Sequence, residues 1–141
     1  MNPSHRLSRR LRAATAVFAL GLCGAAALAA DVALSGANEV PPVSTSATAT
    51  CAIAVAEDGT VSGGIATTGI AGTMAHIHVG APGKNGPVIV TLKKDADGAW
   101  SVPAGARLSP EQLAQYKAGE LYVNVHSDAH KGGEIRAQLA P

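Results

Sequence analysis

An all-β fold, an antiparallel sandwich or barrel of about seven strands, is the class this sequence predicts. From residue 47 onward, apolar residues alternate with small or polar ones at period two. Clusters of Gly, Asn, Asp and Pro break that alternation at hairpin spacing. Only one segment, near residues 109–118, carries helix signals.

The first 29 residues stand apart from this pattern. Arg6, Arg9, Arg10 and Arg12 fall in a stretch without acids, and the run from Ala13 to Ala27 is apolar or small and ends in Ala27-Leu28-Ala29. This is the pattern of a secretory signal peptide over 1–29, cleaved after Ala29, followed by a single domain over 30–141. The run is too short and alanine-rich for a transmembrane segment, and no other stretch approaches the needed length. Leu22 stands before Cys23 where a lipoprotein anchor wants a small residue. Arg12 follows the Arg9-Arg10 pair where a twin-arginine signal usually carries an apolar residue, and both export routes stay open. The leader is of bacterial type, so the expected destination is the periplasm or the cell exterior.

Removing the leader takes four of the eleven basic residues and none of the ten acids, leaving a net charge of −3 with histidines neutral. A mildly acidic domain without a basic run or an aromatic platform argues against nucleic acid as a partner. Cys23 also leaves, so Cys51 has no partner for an internal disulfide. Its place on the apolar side of a strand predicts burial.

The elements follow in order. Ala30 to Ser46 reads as partly extended chain at an edge. Ala47, Ala49, Cys51, Ile53 and Val55 alternate with Thr48, Thr50, Ala52 and Ala54, then Glu57-Asp58-Gly59 turns the chain into a return strand from Val61 to Thr67. In the third strand Ala75, Ile77 and Val79 point opposite to His76 and His78. It ends in the Gly- and Pro-containing loop 80–86. Val88 to Leu92 forms another strand, Asp95 to Gly98 a turn, and Trp100 and Val102 a short return strand. Ser109 caps a helix with Pro110 at its first position and Gln112 three residues after the cap, and Gly119 stops it. Leu121, Val123 and Val125 alternate with Tyr122, Asn124 and His126, and Ile135, Ala137 and Leu139 close the fold. Trp100 is the one large piece of a core otherwise built from Val, Leu, Ile and Ala.

Every histidine outside the leader belongs to one of two clusters, His76 with His78 and His126 with His130. Paired imidazoles on one strand face suit copper or zinc better than magnesium or calcium, which prefer oxygen. Copper(II) accepts a square-planar or T-shaped set, whereas zinc wants a tetrahedron completed by His130, Asp128 or water. Affinity should fall as the rings protonate near their ordinary pKa of about 6.5. The alternative is a hydrogen-bonded network in which the rings meet Asn124, Tyr122 or Ser127 across the sheet, with His130 on the surface. Glu134 and Arg136 read as outward strand residues forming a cross-strand ion pair, or Arg136 as an anion guide beside a metal. Ser127 between His126 and Asp128 is not a triad, because strand neighbours face opposite ways. The loop 80–86 lacks the lysine-serine/threonine ending of a phosphate loop.

Four ordered motifs carry a family resemblance: Ala-His-Ile-His-Val-Gly at 75–80, Gly-Lys-Asn-Gly-Pro-Val at 83–88, Gly-Glu-Leu-Tyr-Val-Asn-Val-His at 119–126, and Gly-Gly-Glu-Ile-Arg-Ala-Gln-Leu at 132–139. Ala-Asn-Glu-Val-Pro-Pro at 37–42 adds to them, and together they resemble the CHRD domain over roughly residues 31–140. The resemblance implies an immunoglobulin-like Greek-key barrel with a distant likeness to copper/zinc superoxide dismutase. It implies no established activity. His76, His78 and His126 stand where those enzymes hold copper, but residues 79–125 contain no histidine to bridge a second metal, so a binuclear centre is excluded.

Three functions follow, in order of preference. The first is a periplasmic or secreted module binding one metal ion, copper before zinc, through His76, His78, His126 and His130. The second is a non-catalytic domain that binds another extracellular or periplasmic protein. The third is a mononuclear copper enzyme of dismutase type, which needs an open coordination position. The leader itself yields a direct expectation: mass spectrometry of the protein recovered from an expressing bacterium gives a mature N-terminus at Ala30, and an uncleaved chain contradicts it.

Overall fold

The computed structural model describes residues 31–141, so the leader expected over 1–29 lies outside the described residues. Nine strands and one α-helix follow in order: β1 Val32–Leu34, β2 Thr48–Val55, β3 Val61–Thr68, β4 Gly72–Val79, β5 Val88–Thr91, β6 Lys93–Ala96, β7 Ala99–Ser101, α1 Pro110–Lys117, β8 Leu121–Ser127 and β9 Ile135–Leu139. They form two antiparallel sheets, β1-β2-β3-β7-β6 and β5-β4-β8-β9. This is the expected all-β sandwich, with two strands more than periodicity revealed. β1 occupies the edge where extended chain was expected and inserts Leu34 into the core. β6 lies where a turn was read, and all four of its residues are exposed, so no apolar alternation marks it. The turn itself is confined to Asp97 and Gly98, the glycine taking a positive φ of 78°.

The sheets also meet at their margins. Ser35 and Arg136 exchange backbone hydrogen bonds of 3.1 and 3.0 Å, tying the β1 end to β9. At the other margin the chain steps from β5 to β6 through Leu92, whose N–H donates to the Ala75 carbonyl at 2.9 Å. The inward residues of both sheets form the apolar core, among them Cys51, Ile53, Ile65, Ile77, Trp100, Val123, Val125 and Ile135. Burial of apolar surface is the main driving force here, and it also settles the Cys51 thiol. Desolvation pushes that thiol up to about 11, so it is an inert core residue. Helix α1 has the expected capping box, with Ser109 Oγ accepting from Gln112 N at 3.2 Å and Gln112 Oε1 accepting from Ser109 N at 2.9 Å.

A second, polar layer covers the outer face of the β5-β4-β8-β9 sheet. All seven residues of β8 are buried, so the strand is covered on both faces. The segment around 36–45, the loop 80–87 and the turn 128–134 do the covering, through Asn38 to the Arg136 carbonyl, Asn85 to the Val40 carbonyl and Thr45 to Glu134. Glu39, Asn124, Glu134 and Arg136 are buried within this layer.

The outward ion pair expected of Glu134 and Arg136 does not form. Arg136 is only 1% exposed, lies over the Tyr122 ring at 3.4 Å and donates to the Lys84 carbonyl at 2.9 Å and to Asn85 Oδ1 at 3.1 Å. Glu134 accepts from Ser127 and, at 2.7 Å, from Thr45. Burial pushes the Glu134 carboxyl up, but these hydrogen bonds and the nearby His130 outweigh it and hold it below its ordinary value. Arg136→Ala removes the cation and strands those buried carbonyls, so it should lower stability by about 3 kcal/mol or more. Urea denaturation followed by tryptophan fluorescence checks this, with Lys93→Ala on exposed β6 as the neutral control.

Candidate metal centre

A bulge sets the phase of β4. Gly72 faces the core against Trp100 and Val125, and opposite β8 the register then shifts between Gly72 and Met74. The extra residue, Thr73, reverses the alternation, so Ala75 and Ile77 enter the core while Met74, His76 and His78 share the outer face. Across β8 they pair with His126, Asn124 and Tyr122 respectively. The expected opposition of His76 and His78 to the apolar residues of β4 therefore holds, and His126 joins them from the neighbouring strand.

The ligand atoms of His76, His78 and His126 lie within 4.8 Å of one another. A tetrahedral ion with nitrogens at 2.0–2.1 Å would separate them by about 3.3 Å, within reach of small rotations. His76 Nδ1 already stands 3.0 Å from His126 Nε2. His130 lies outside this group, in the turn after β8, where its backbone N–H bonds Ser127. Asp128 is exposed in the same turn.

Two backbone carbonyls determine the chemistry. His78 Nδ1 lies 2.9 Å from the Gly86 carbonyl, and His126 Nδ1 lies 2.9 Å from the Lys131 carbonyl. A carbonyl only accepts, so each Nδ1 carries the hydrogen and each neutral ring turns an Nε2 lone pair inward. Both Nε2 atoms stand 3.0 Å from Asn124 Oδ1. The Asn124 amide nitrogen lies on the side of the Glu39 carboxyl, both beside Gly133, and its oxygen faces the rings. Acceptors thus converge on one point, an arrangement stabilised by a cation. Imidazoles that donate their outer N–H to a carbonyl are the usual form of metal-ligating histidine.

The surroundings keep the rings neutral. Desolvation, reinforced by His126 and His78, pushes His76 down to about 4. Burial also lowers His78, outweighing the support that the Gly86 carbonyl and Asn124 oxygen would give a protonated ring, with His126 and Arg136 adding to the fall. Tyr122 stacks on His78 at 4.6 Å and 6°, and strand order puts Arg136 against the ring from the β9 side. Arg136 also holds the loop that supplies the Gly86 carbonyl.

Of the partners expected in a purely hydrogen-bonded network, Asn124 alone reaches the Nε2 atoms, and it meets them with an acceptor oxygen rather than a donor. Tyr122 stacks on His78 and its hydroxyl oxygen accepts from the Gly86 N–H at 3.2 Å, while Ser127 donates to Glu134. Sequence reasoning missed the Gly86 and Lys131 carbonyls, because backbone groups carry no residue signature. It also missed buried Glu39, whose Oε1 has no hydrogen-bond partner.

The fold and this site define an antiparallel β-sandwich carrying a histidine cluster under loops on one outer face. The CHRD domain model matches residues 30–139, and the chain belongs to the CHRD domain family. No curated protein and no solved structure matches it.

The depressed His76 pKa has a consequence for folding. Between about pH 6.5 and 4 the unfolded chain binds a proton that folded His76 refuses, so stability is full above pH 6.5 and falls as the pH drops to 4. Denaturation midpoints of the metal-free protein across this window should follow that slope. In His76→Ala the slope should shrink.

Proposed function

We propose that this CHRD-domain protein is an exported metal-binding module that holds one copper ion, with zinc as the weaker competitor, for sequestration or delivery. The two carbonyl-bound imidazoles with inward Nε2 atoms carry this reading. His78 Nε2, His126 Nε2 and His76 supply the ligands, and Asn124 Oδ1 is near enough to add an oxygen. In the metal-free protein His76 Nδ1–H donates to His126 Nε2; His76 would offer Nδ1 to an ion as its other tautomer, with the hydrogen on Nε2. Three neutral nitrogens in a compact set suit copper or zinc and disfavour magnesium and calcium.

Export is supported by the leader pattern over 1–29 and by the extracellular character of CHRD domains. Among the described residues no helix is long and apolar enough to cross a membrane. Cargo handling fits a site whose ligands sit on a rigid sheet beneath covering loops, with half-buried His76 at its open side.

Calorimetric titration of the purified protein with copper(II) and zinc(II) tests this. The expected outcome is one saturable copper site tighter than about 1 μM, lost in a His76→Ala/His78→Ala double variant whose circular dichroism is unchanged. Copper uptake equal in both proteins contradicts the assignment. Superoxide turnover by the copper-loaded protein would replace cargo handling with catalysis.

A further inference from the structure

Met74 and Val88 are the exposed large hydrophobics among the described residues, at 47% and 46%. Both border the histidine cluster: Met74 pairs with His126 across β8, and Val88 pairs with His78 across β5. Directly paired side chains on one face lie about 5 Å apart at Cβ, within the span of a methionine side chain. Met74 also precedes His76 by two residues on the same face, so it neighbours two of the three imidazoles. It reaches that face only because of the bulge at Thr73, which is held by a 3.4 Å hydrogen bond from Thr73 Oγ1 to the His126 carbonyl. Without the extra residue Met74 would point into the core, where a thioether packs well. The fold instead places its one methionine beside the rings and in solvent.

We propose that the Met74 thioether is a further ligand of this centre, and that it makes the site selective for monovalent copper. The inference rests on the metal-binding reading above and names the ion more closely. Thioether sulfur is a soft donor that favours copper(I), adds little for zinc(II), and binds magnesium or calcium poorly. Met74 stands at the open side of the cluster with His76, while His78 and His126 lie deeper under the loops, so the ion meets the sulfur and His76 first. Val88 supplies apolar surface beside His78, at the opposite end of the cluster from Met74. Cys51, the other sulfur of the domain, is buried between the sheets and takes no part.

The test compares full-length protein with Met74→Leu, which keeps the side chain's volume and removes the sulfur. Copper(I) affinity is measured anaerobically by competition with bicinchoninate, copper(II) and zinc(II) affinity by calorimetry, and the copper(I) coordination by X-ray absorption. Expected are a sulfur scatterer in the wild type that vanishes in Met74→Leu, copper(I) binding weakened by roughly tenfold or more, and zinc(II) binding unchanged. Equal copper(I) affinity in the two proteins with no sulfur shell overturns the role of Met74 and leaves the histidine site standing. Failure of the wild type to bind either copper ion overturns both readings together.

Discussion

Strand β8 is buried on both faces, and its outward side chains, Tyr122, Asn124 and His126, must satisfy their polar groups without bulk water. That requirement organises the outer face of the second sheet. The covering loops meet it with backbone carbonyls: Gly86 accepts from His78, Lys131 from His126, and Lys84 from Arg136. Each carbonyl fixes one donor on a side chain, and the remaining lone pairs are left facing one another around Asn124 Oδ1. A polar layer built to satisfy a buried strand becomes a set of ligands, because neutral imidazole has only one hydrogen to place.

Charge placement follows from the same layer. Burial lowers the tendency of His78 to gain a proton, and Arg136, the fixed cation stacked on Tyr122, adds to it through its charge. Glu39 lies on the far side of Asn124, where desolvation raises its carboxyl despite the opposing pull of Arg136 and of Asn124 itself. Gly133 approaches both Glu39 and Asn124 so closely that a side chain there would collide with them, and its φ of 127° suits glycine alone. The backbone is therefore packed directly onto the polar groups that orient the amide. Rings, amide, carboxyl and guanidinium form one connected unit, so a change in any member should be felt at the histidines.

Much of the fold was legible because core-facing strands alternate. β2, β8, β9 and, beyond its bulge, β4 send every second residue between the sheets, and the helix announces itself through Ser109, Pro110 and Gln112. β6 was not legible, since none of its residues is buried, and β1 is only three residues long. The meeting of His126 with His76 and His78 was legible from alternation together with the family resemblance. The burial of Glu134 and Arg136 was hidden, because charged residues after a turn ordinarily face solvent, and only the loops folded over the outer face of the sheet cover them. His130 lies close to His126 in sequence, but it sits in the turn after β8 and not among the three clustered imidazoles.

The central claim is that loop carbonyls hold His78 and His126 with hydrogen on Nδ1 and lone pairs on Nε2. Nitrogen-15 shifts of the imidazoles in the metal-free protein at pH 7.5 test it most directly. The account predicts Nδ1–H tautomers for both rings, with their Nε2 signals shifted or broadened by stoichiometric copper. Nε2–H tautomers, or Nε2 signals indifferent to copper, would contradict it.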